Sequence, residues 1–229
     1  MDIWTNFNHL LFSIPDCITC KTTKSQKHGF CSGCYHDLPH ISQSCLRCGL
    51  AVSAERQCAC KDEDWPFSAC VAACAYAFPV DALISQLKNQ HKLSVSKPLG
   101  LLIASQIKRQ RLALPELLIP VPASTERLQQ RGFNQALEIA KVIGKQLSIP
   151  VDYTSVTRGK QRSVQKNLNK QQRSHNVDSV FILTKPISAQ RVAIIDDVIT
   201  TGATTKAIAY LLRENGLNDI QSWAVARTL

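Results

Sequence analysis

Val192-Ala193-Ile194-Ile195-Asp196-Asp197-Val198-Ile199-Thr200-Thr201-Gly202-Ala203-Thr204 is the stretch that decides how this chain is read. Four apolar residues predict a buried strand, an acidic pair follows at its C-terminal end, and a hydroxyl-and-glycine turn opens a helix. Ala207, Ile208, Leu211 and Leu212 recur at helical spacing, and Gly216 is the stop signal. A strand-to-helix junction of this kind points free backbone N–H groups and the positive helix end at one place, which suits a phosphate. Gly202 lets the backbone approach the anion, and Thr200, Thr201 and Thr204 add hydroxyl donors around Ala203. Asp196 and Asp197 are placed to accept hydrogen bonds from a sugar diol. The expected ligand carries a 5-phosphate, a ribose ring and two adjacent hydroxyls.

This stretch resembles the phosphoribosyl-pyrophosphate (PRPP) signature of type I phosphoribosyltransferases, an apolar strand followed by Asp-Asp, two residues and Thr-Thr-Gly. The resemblance implies that the acidic pair binds the ribose hydroxyls and that residues 200–204 wrap the 5-phosphate. The bland alternative is a sheet strand that ends in Asp-Asp by chance, followed by ordinary threonine N-caps.

The chain has 229 residues and 45% hydrophobic content, enough for one or two domains with a sizeable core. Asp2 stands where a secretory leader has a basic cluster, and Trp4, Phe7, Leu10 and Leu11 are separated by polar residues. The longest apolar run, Ala69 to Phe78, is ten residues, too short to span a bilayer. The expectation is a soluble cytoplasmic protein without membrane insertion. The net charge of +10 is divided unevenly. Residues 1–66 hold six Lys/Arg and seven Asp/Glu, whereas residues 67–229 hold 21 and ten, a net of +11. Any anionic partner is therefore drawn to the second part.

Eight of the ten cysteines form four close pairs: Cys17-x2-Cys20, Cys31-x2-Cys34, Cys45-x2-Cys48 and Cys58-x-Cys60. Each pair can present two thiolates to one tetrahedral ion, so four pairs supply two closed sites, expected to hold two structural Zn²⁺. The sequential grouping puts the first two pairs on one ion and the last two on another, and a crossed grouping stays open. Four disulfides are the competing reading, disfavoured by the lack of a secretion signal. His28 and His36 lie nearby and read as surface residues, while Cys70 and Cys74 read as small core residues. Eight thiolates on two divalent ions add about four negative charges. The module therefore reads as structural or protein-docking rather than as a phosphate grip.

The boundary is expected at Asp62-Glu63-Asp64-Trp65-Pro66, dividing a zinc-ribbon module (1–65) from an α/β domain (66–229). Helices are predicted from Val80, Leu83, Ile84 and Leu87, from about Pro98 to Arg111, and from Ala136, Ile139, Ala140, Ile143 and Leu147. Strands are predicted at Leu117–Val121, Val151–Val156, Val180–Leu183, Val192–Ile195 and Ile220–Val225. The alternation argues for a parallel sheet whose ligands bind at the strand C-termini.

Three further segments complete the picture: Ile119-Pro120-Val121-Pro122; Arg131-Gly132-Phe133-Asn134-Gln135-Ala136; and Gln165-x2-Leu168-x4-Arg173-x2-Asn176. With the Cys pairs and the PRPP signature, they make the chain resemble ComF-family proteins (ComFC-like, GntX-like) along nearly its full length. The chain departs from that pattern in having Val164 where a proline commonly precedes the glutamine, and in its tight last Cys pair.

The resemblance implies a type I phosphoribosyltransferase fold, a parallel sheet flanked by helices, behind a zinc ribbon. It also implies a link to DNA uptake or to use of incoming DNA, through competence or DNA-processing proteins. The site itself is read as a Mg²⁺-dependent PRPP site, the ion bridging ribose and pyrophosphate oxygens with few protein ligands. The loop at Val121 and Pro122 corresponds to the family's pyrophosphate position. Lys88 and Arg131 are candidate clamps for the leaving pyrophosphate, although Lys88 reads equally as a solvated helix-end lysine.

Residues 158–173 carry Arg158, Lys160, Arg162, Lys166, Lys170 and Arg173 without an acidic residue. Such a run is a solvated loop, a basic lid that closes over pyrophosphate, or a track for single-stranded DNA. The last is weakened by the lack of interleaved aromatics. Two other functions compete: a metabolic enzyme joining PRPP to a free nucleobase, and a catalytically silent zinc-containing scaffold. The sequence stops at Leu229 directly after the last predicted strand, so any cover for a base acceptor is expected before about residue 90.

Overall fold

The computed structural model describes residues 14–52, 58, 60, 64–159 and 180–228. In chain order the elements are α1 (Ser32–His36), β1 (Ala69–Ala75), α2 (Val80–Asn89), α3 (Ser96–Gln110), β2 (Leu117–Pro120) and α4 (Thr125–Arg131). They continue with α5 (Gln135–Leu147), β3 (Val156–Arg158), β4 (Phe181–Leu183), β5 (Arg191–Ile199), α6 (Ala203–Glu214) and β6 (Asp219–Arg227). Four strands form one parallel sheet in the order β1-β6-β5-β2.

Two cores sandwich that sheet, as a parallel sheet buried on both faces requires. Alternation along each strand assigns the residues. Val71, Ala193, Ile195, Trp223 and Val225 pack with Leu83, Ile84 and Leu87 of α2, Leu99 and Ile103 of α3, and Ile139 and Ile143 of α5. Cys70, Val192, Ile194, Ile220 and Ala224 pack on the other face with Ile208, Ala209 and Leu212 of α6. Each fully buried Leu or Ile contributes about 1.5–3 kcal/mol over its exposed state.

The Cys-rich segment belongs to both cores. Cys17, Phe30, Cys31 and Leu38 join the α2–α3–α5 side, while Cys48, Cys60, Trp65 and Phe67 join the α6 side. Its backbone also covers the edge strand: Ile41 N donates to Ala73 O at 3.1 Å, Ala75 N to Pro39 O at 2.8 Å, and Cys70 N to Leu46 O at 2.7 Å. An edge that would otherwise present unpaired backbone groups is thereby closed.

The helices expected around residues 80–88, 98–111 and 136–147 are present with small shifts of their ends. Three local differences stand out. Strand β5 runs on through the acidic pair to Ile199. The segment expected as a strand over Val151–Val156 makes only one parallel bridge, Val151 to Leu118, and then turns. There the Asp152 carboxylate accepts from Thr154 N at 2.8 Å and Ser155 N at 3.0 Å, an Asx turn that diverts the chain into the antiparallel pair β3–β4. The Ser155 hydroxyl, which also donates to this carboxylate, and then those backbone bonds hold the Asp152 carboxyl down at about 2 against its partial burial. Helix α4 was not expected. It has no buried residue, and its signals are caps: Ser124 Oγ accepts from Arg127 N, and Gly132 ends it at φ 76°.

Candidate functional site

The C-terminal end of β5 and the first turn of α6 form a concave site lined by Asp196, Val198 and residues 199–205. Gly202 caps α6 from the left-handed region at φ 77°. Two demands fix it as glycine: that φ, and the face of Trp65, whose Cζ3 and Cη2 lie 2.7 and 3.0 Å from where a Cβ would stand. Thr201 Oγ1 accepts from Ala203 N at 3.3 Å, and the buried Thr205 donates to Gly202 O at 3.2 Å. Thr200, Thr201 and Ala203 are exposed and Thr204 is half-buried, so the loop presents hydroxyls and backbone N–H groups to solvent at a helix N-terminus.

The two acidic residues of β5 have different surroundings. Asp196 is partly exposed and lines the concave site. Asp197 is 3% exposed, and its carboxylate is paired with the Lys88 ammonium of α2. Loss of hydration, and then the neighbouring Asp197 charge, raise the Asp196 carboxyl well above the usual carboxylate range. Its Oδ1 accepts from Asp197 N at 2.8 Å.

Of the four cations singled out from sequence, Lys88 is the one that meets the acidic pair among the described residues. Arg131 ends α4, donates to Gln135 Oε1 at 3.2 Å, and accepts at its carbonyl from His91 Nδ1 at 2.9 Å. Arg158 ends β3 with its guanidinium 5.2 Å from the Phe181 ring. Lys160 and the basic run from 160 to 173 lie outside the described residues. Val121 is buried after β2, hydrogen-bonded from its N–H to Ile195 O at 2.9 Å, and Pro122 follows it half-buried. Asn134, part of the Arg131–Ala136 segment but given no role from sequence, ties α5 to this loop through Nδ2 to Val121 O at 3.0 Å.

The cysteines gather as the sequential grouping has them. Cys17, Cys20, Cys31 and Cys34 form one cluster and Cys45, Cys48, Cys58 and Cys60 the other, each with its sulfurs within 4.8 Å of one another. Sulfur separations of 3.9 Å (Cys20–Cys31) and 3.6 Å (Cys45–Cys60) lie near the edge of a tetrahedral tetrathiolate zinc, about 3.8 Å, while Cys48 and Cys58 stand closer, at 3.1 Å. His36 is exposed, but His28 is partly buried, with its ring 5.8 Å from that of Tyr35. Cys70 and Cys74 are fully buried, and burial pushes both thiols up to about 12.

A DNA utilization protein YhgH from Shigella flexneri is 32% identical over 227 residues, covering 96% of this chain and all of that one. Competence protein F from Haemophilus influenzae is 32% identical over 221 residues, covering 92% and 96%. The chain belongs to the ComF family. Another member, competence protein ComFC from Streptococcus pneumoniae, matches over 109 residues at 26% identity, about half of either chain. No family model matches. A purine phosphoribosyltransferase from Pyrococcus horikoshii overlays with a TM-score of 0.35 and 16% identity, over 58% of this chain and 82% of that one, an overlap too loose to bear on function. No helix among the described residues of this ComF-family chain is long and apolar enough to cross a membrane.

Arg227, at the end of β6, is the functional candidate that sequence reading missed. It is 5% exposed, and its guanidinium donates to Cys48 O at 3.0 Å, to Ile199 O at 3.1 Å and to Thr200 O. No motif surrounds it; a lone arginine directly after the apolar run Trp223–Ala226 was the available signal.

Proposed function

We propose that this ComF-family chain binds PRPP with Mg²⁺ at residues 196–204 and uses it in the handling of incoming DNA. The observation that carries the reading is one juxtaposition. A carboxylate near the C-terminal end of a central parallel strand, three positions before its last residue, lines the same concavity as a loop whose left-handed glycine opens a helix N-terminus. That is the place where doubly wound sheets take their ligands, and its polarity suits a 5-phosphate beside a diol. Thr200, Thr201, Gly202, Ala203 and Thr204 hold the phosphate; Asp196, with Asp197 behind it, takes the ribose hydroxyls. Mg²⁺ supplies charge neutralisation to the pyrophosphate, and hard carboxylate oxygen suits that ion.

Lys88 already carries its ammonium to the acidic pair, within reach of a leaving pyrophosphate, and Val121 and Pro122 line the neighbouring strand end. Arg131, Arg158 and Lys160 are the further cationic candidates. The net charge of +11 over residues 67–229 supports an anionic partner, and the relatives' names point to DNA as the material served. The two four-cysteine clusters each hold a structural zinc, and the protein works in the cytoplasm, where such thiolates stay reduced.

The reading is tested with Asp196→Asn combined with Asp197→Asn. The folded double variant is expected to lose PRPP binding at concentrations that saturate the wild type. Unchanged affinity in a protein of wild-type circular dichroism would sink the site.

A further inference from the structure

The second four-cysteine cluster and the phosphate loop are joined by one buried side chain. Arg227 spans from the Cys48 carbonyl, inside the third cysteine knuckle, to the carbonyls of Ile199 and Thr200, where the loop leaves β5. Register places it there: Arg227 is aligned with Ile199 on β5 and with Ala75 on β1, at the end of the sheet. A buried guanidinium is costly unless its donors are filled. Among the described residues no carboxylate pairs with it, and carbonyl oxygens and the Trp65 ring, 5.6 Å away, surround it.

A second connection runs in parallel. Trp65, five residues after Cys60 and in the same core, lies against Gly202, with the Lys206 ammonium 3.7 Å over its ring. Tyr210 of α6 donates to Asp64 and holds this segment in place. The loop that faces the ligand thus rests on a platform whose far side is the cysteine cluster.

We propose that Arg227 is a positioning residue through which metal in the Cys45–Cys48–Cys58–Cys60 cluster fixes the ligand-ready form of the 200–204 loop. A tetrathiolate zinc carries a net charge of about −2 beside the guanidinium, and it locks the knuckle that offers the Cys48 carbonyl. Without the metal that carbonyl has no fixed place. Arg227 then loses the anchor from which it holds the Ile199 and Thr200 carbonyls. That the loop takes a phosphate rests on the preceding reading; the coupling between cluster and loop does not.

The test uses the full chain in three forms: Arg227→Met, Arg227→Lys, and Cys45→Ser with Cys48→Ser, which leaves the first cluster intact. Amide hydrogen exchange over residues 199–206, zinc content and PRPP affinity are read for each. Arg227→Met is expected to keep its zinc, yet to exchange roughly ten-fold faster in the loop and bind PRPP roughly ten-fold more weakly. Arg227→Met removes all three of these charged hydrogen bonds, and about ten-fold is the least that losing one of them gives. Arg227→Lys is expected to recover part of both losses. The double cysteine variant is expected to lose about one zinc and show the same loop exchange. A purely structural arginine would raise exchange across the whole sheet, not in this loop alone. Wild-type loop exchange in the cysteine variant and in either arginine variant overturns the proposal. If Arg227→Met does not fold, Arg227→Lys and the cysteine variant decide it. If wild-type protein binds no PRPP, the reading of function falls while the exchange data still settle the coupling.

Discussion

Asp196 holds a carboxylate in a place that resists its charge, because partial loss of hydration and then the Asp197 charge both disfavour ionisation. Its folded pKa lies above the unfolded value of about 3.9. The stability this proton contributes is therefore present below that value and is lost as pH rises through the folded pKa. Asp196→Asn imitates the neutral acid at every pH. The ligand-free Asn variant is expected to match the wild-type Tm near pH 4 and to exceed it at neutrality. A variant that melts lower than wild type at pH 7 contradicts this account of Asp196. Gly202 shows the opposite economy. Gly202→Ala must accept a left-handed φ and push into Trp65, costing at least about 1 kcal/mol. A Tm fall of about 2 °C or more is expected; an alanine variant as stable as wild type means that the loop relaxes freely. Asp196 and Gly202 were legible because short motifs mark them. Arg227 was not, because its partners Cys48 and Ile199 are remote in sequence.

Elements with an apolar period were legible and those held by polar caps were not. Helices α2, α5 and α6 each show buried residues at helical spacing, and each lies close to where its sequence pattern puts it. Helix α4 buries nothing, so only Ser124 and Gly132 announce it. The Val151–Val156 segment reads as a strand by composition, but Asp152 supplies local hydrogen bonds that win over sheet extension. The cysteine knuckles are elements too, and their sequential pairing is set by the fold rather than by spacing, which allowed a crossed pairing. Metal analysis of the purified chain is expected to give about two zinc ions per molecule, one per tetrathiolate cluster. A value near one removes the second site and, with it, the support proposed for the phosphate loop.

At the scale of the whole molecule, the Cys-rich segment is a structural partner of the sheet: it closes the β1 edge and feeds both cores. The parallel architecture was legible from alternating strands and helices, whereas this wrapping was not, since nothing in the spacing of cysteines says which core they join. The charge division falls along the same line, with the basic part carrying the ligand site and the acidic part bracing it. The central claim is that this braced site takes PRPP. Calorimetric titration of the purified protein with PRPP, with and without Mg²⁺, addresses it most directly. Saturable binding that needs Mg²⁺ and disappears in the Asp196→Asn, Asp197→Asn variant is the predicted result; no heat of binding from a folded, zinc-loaded wild-type protein contradicts the claim.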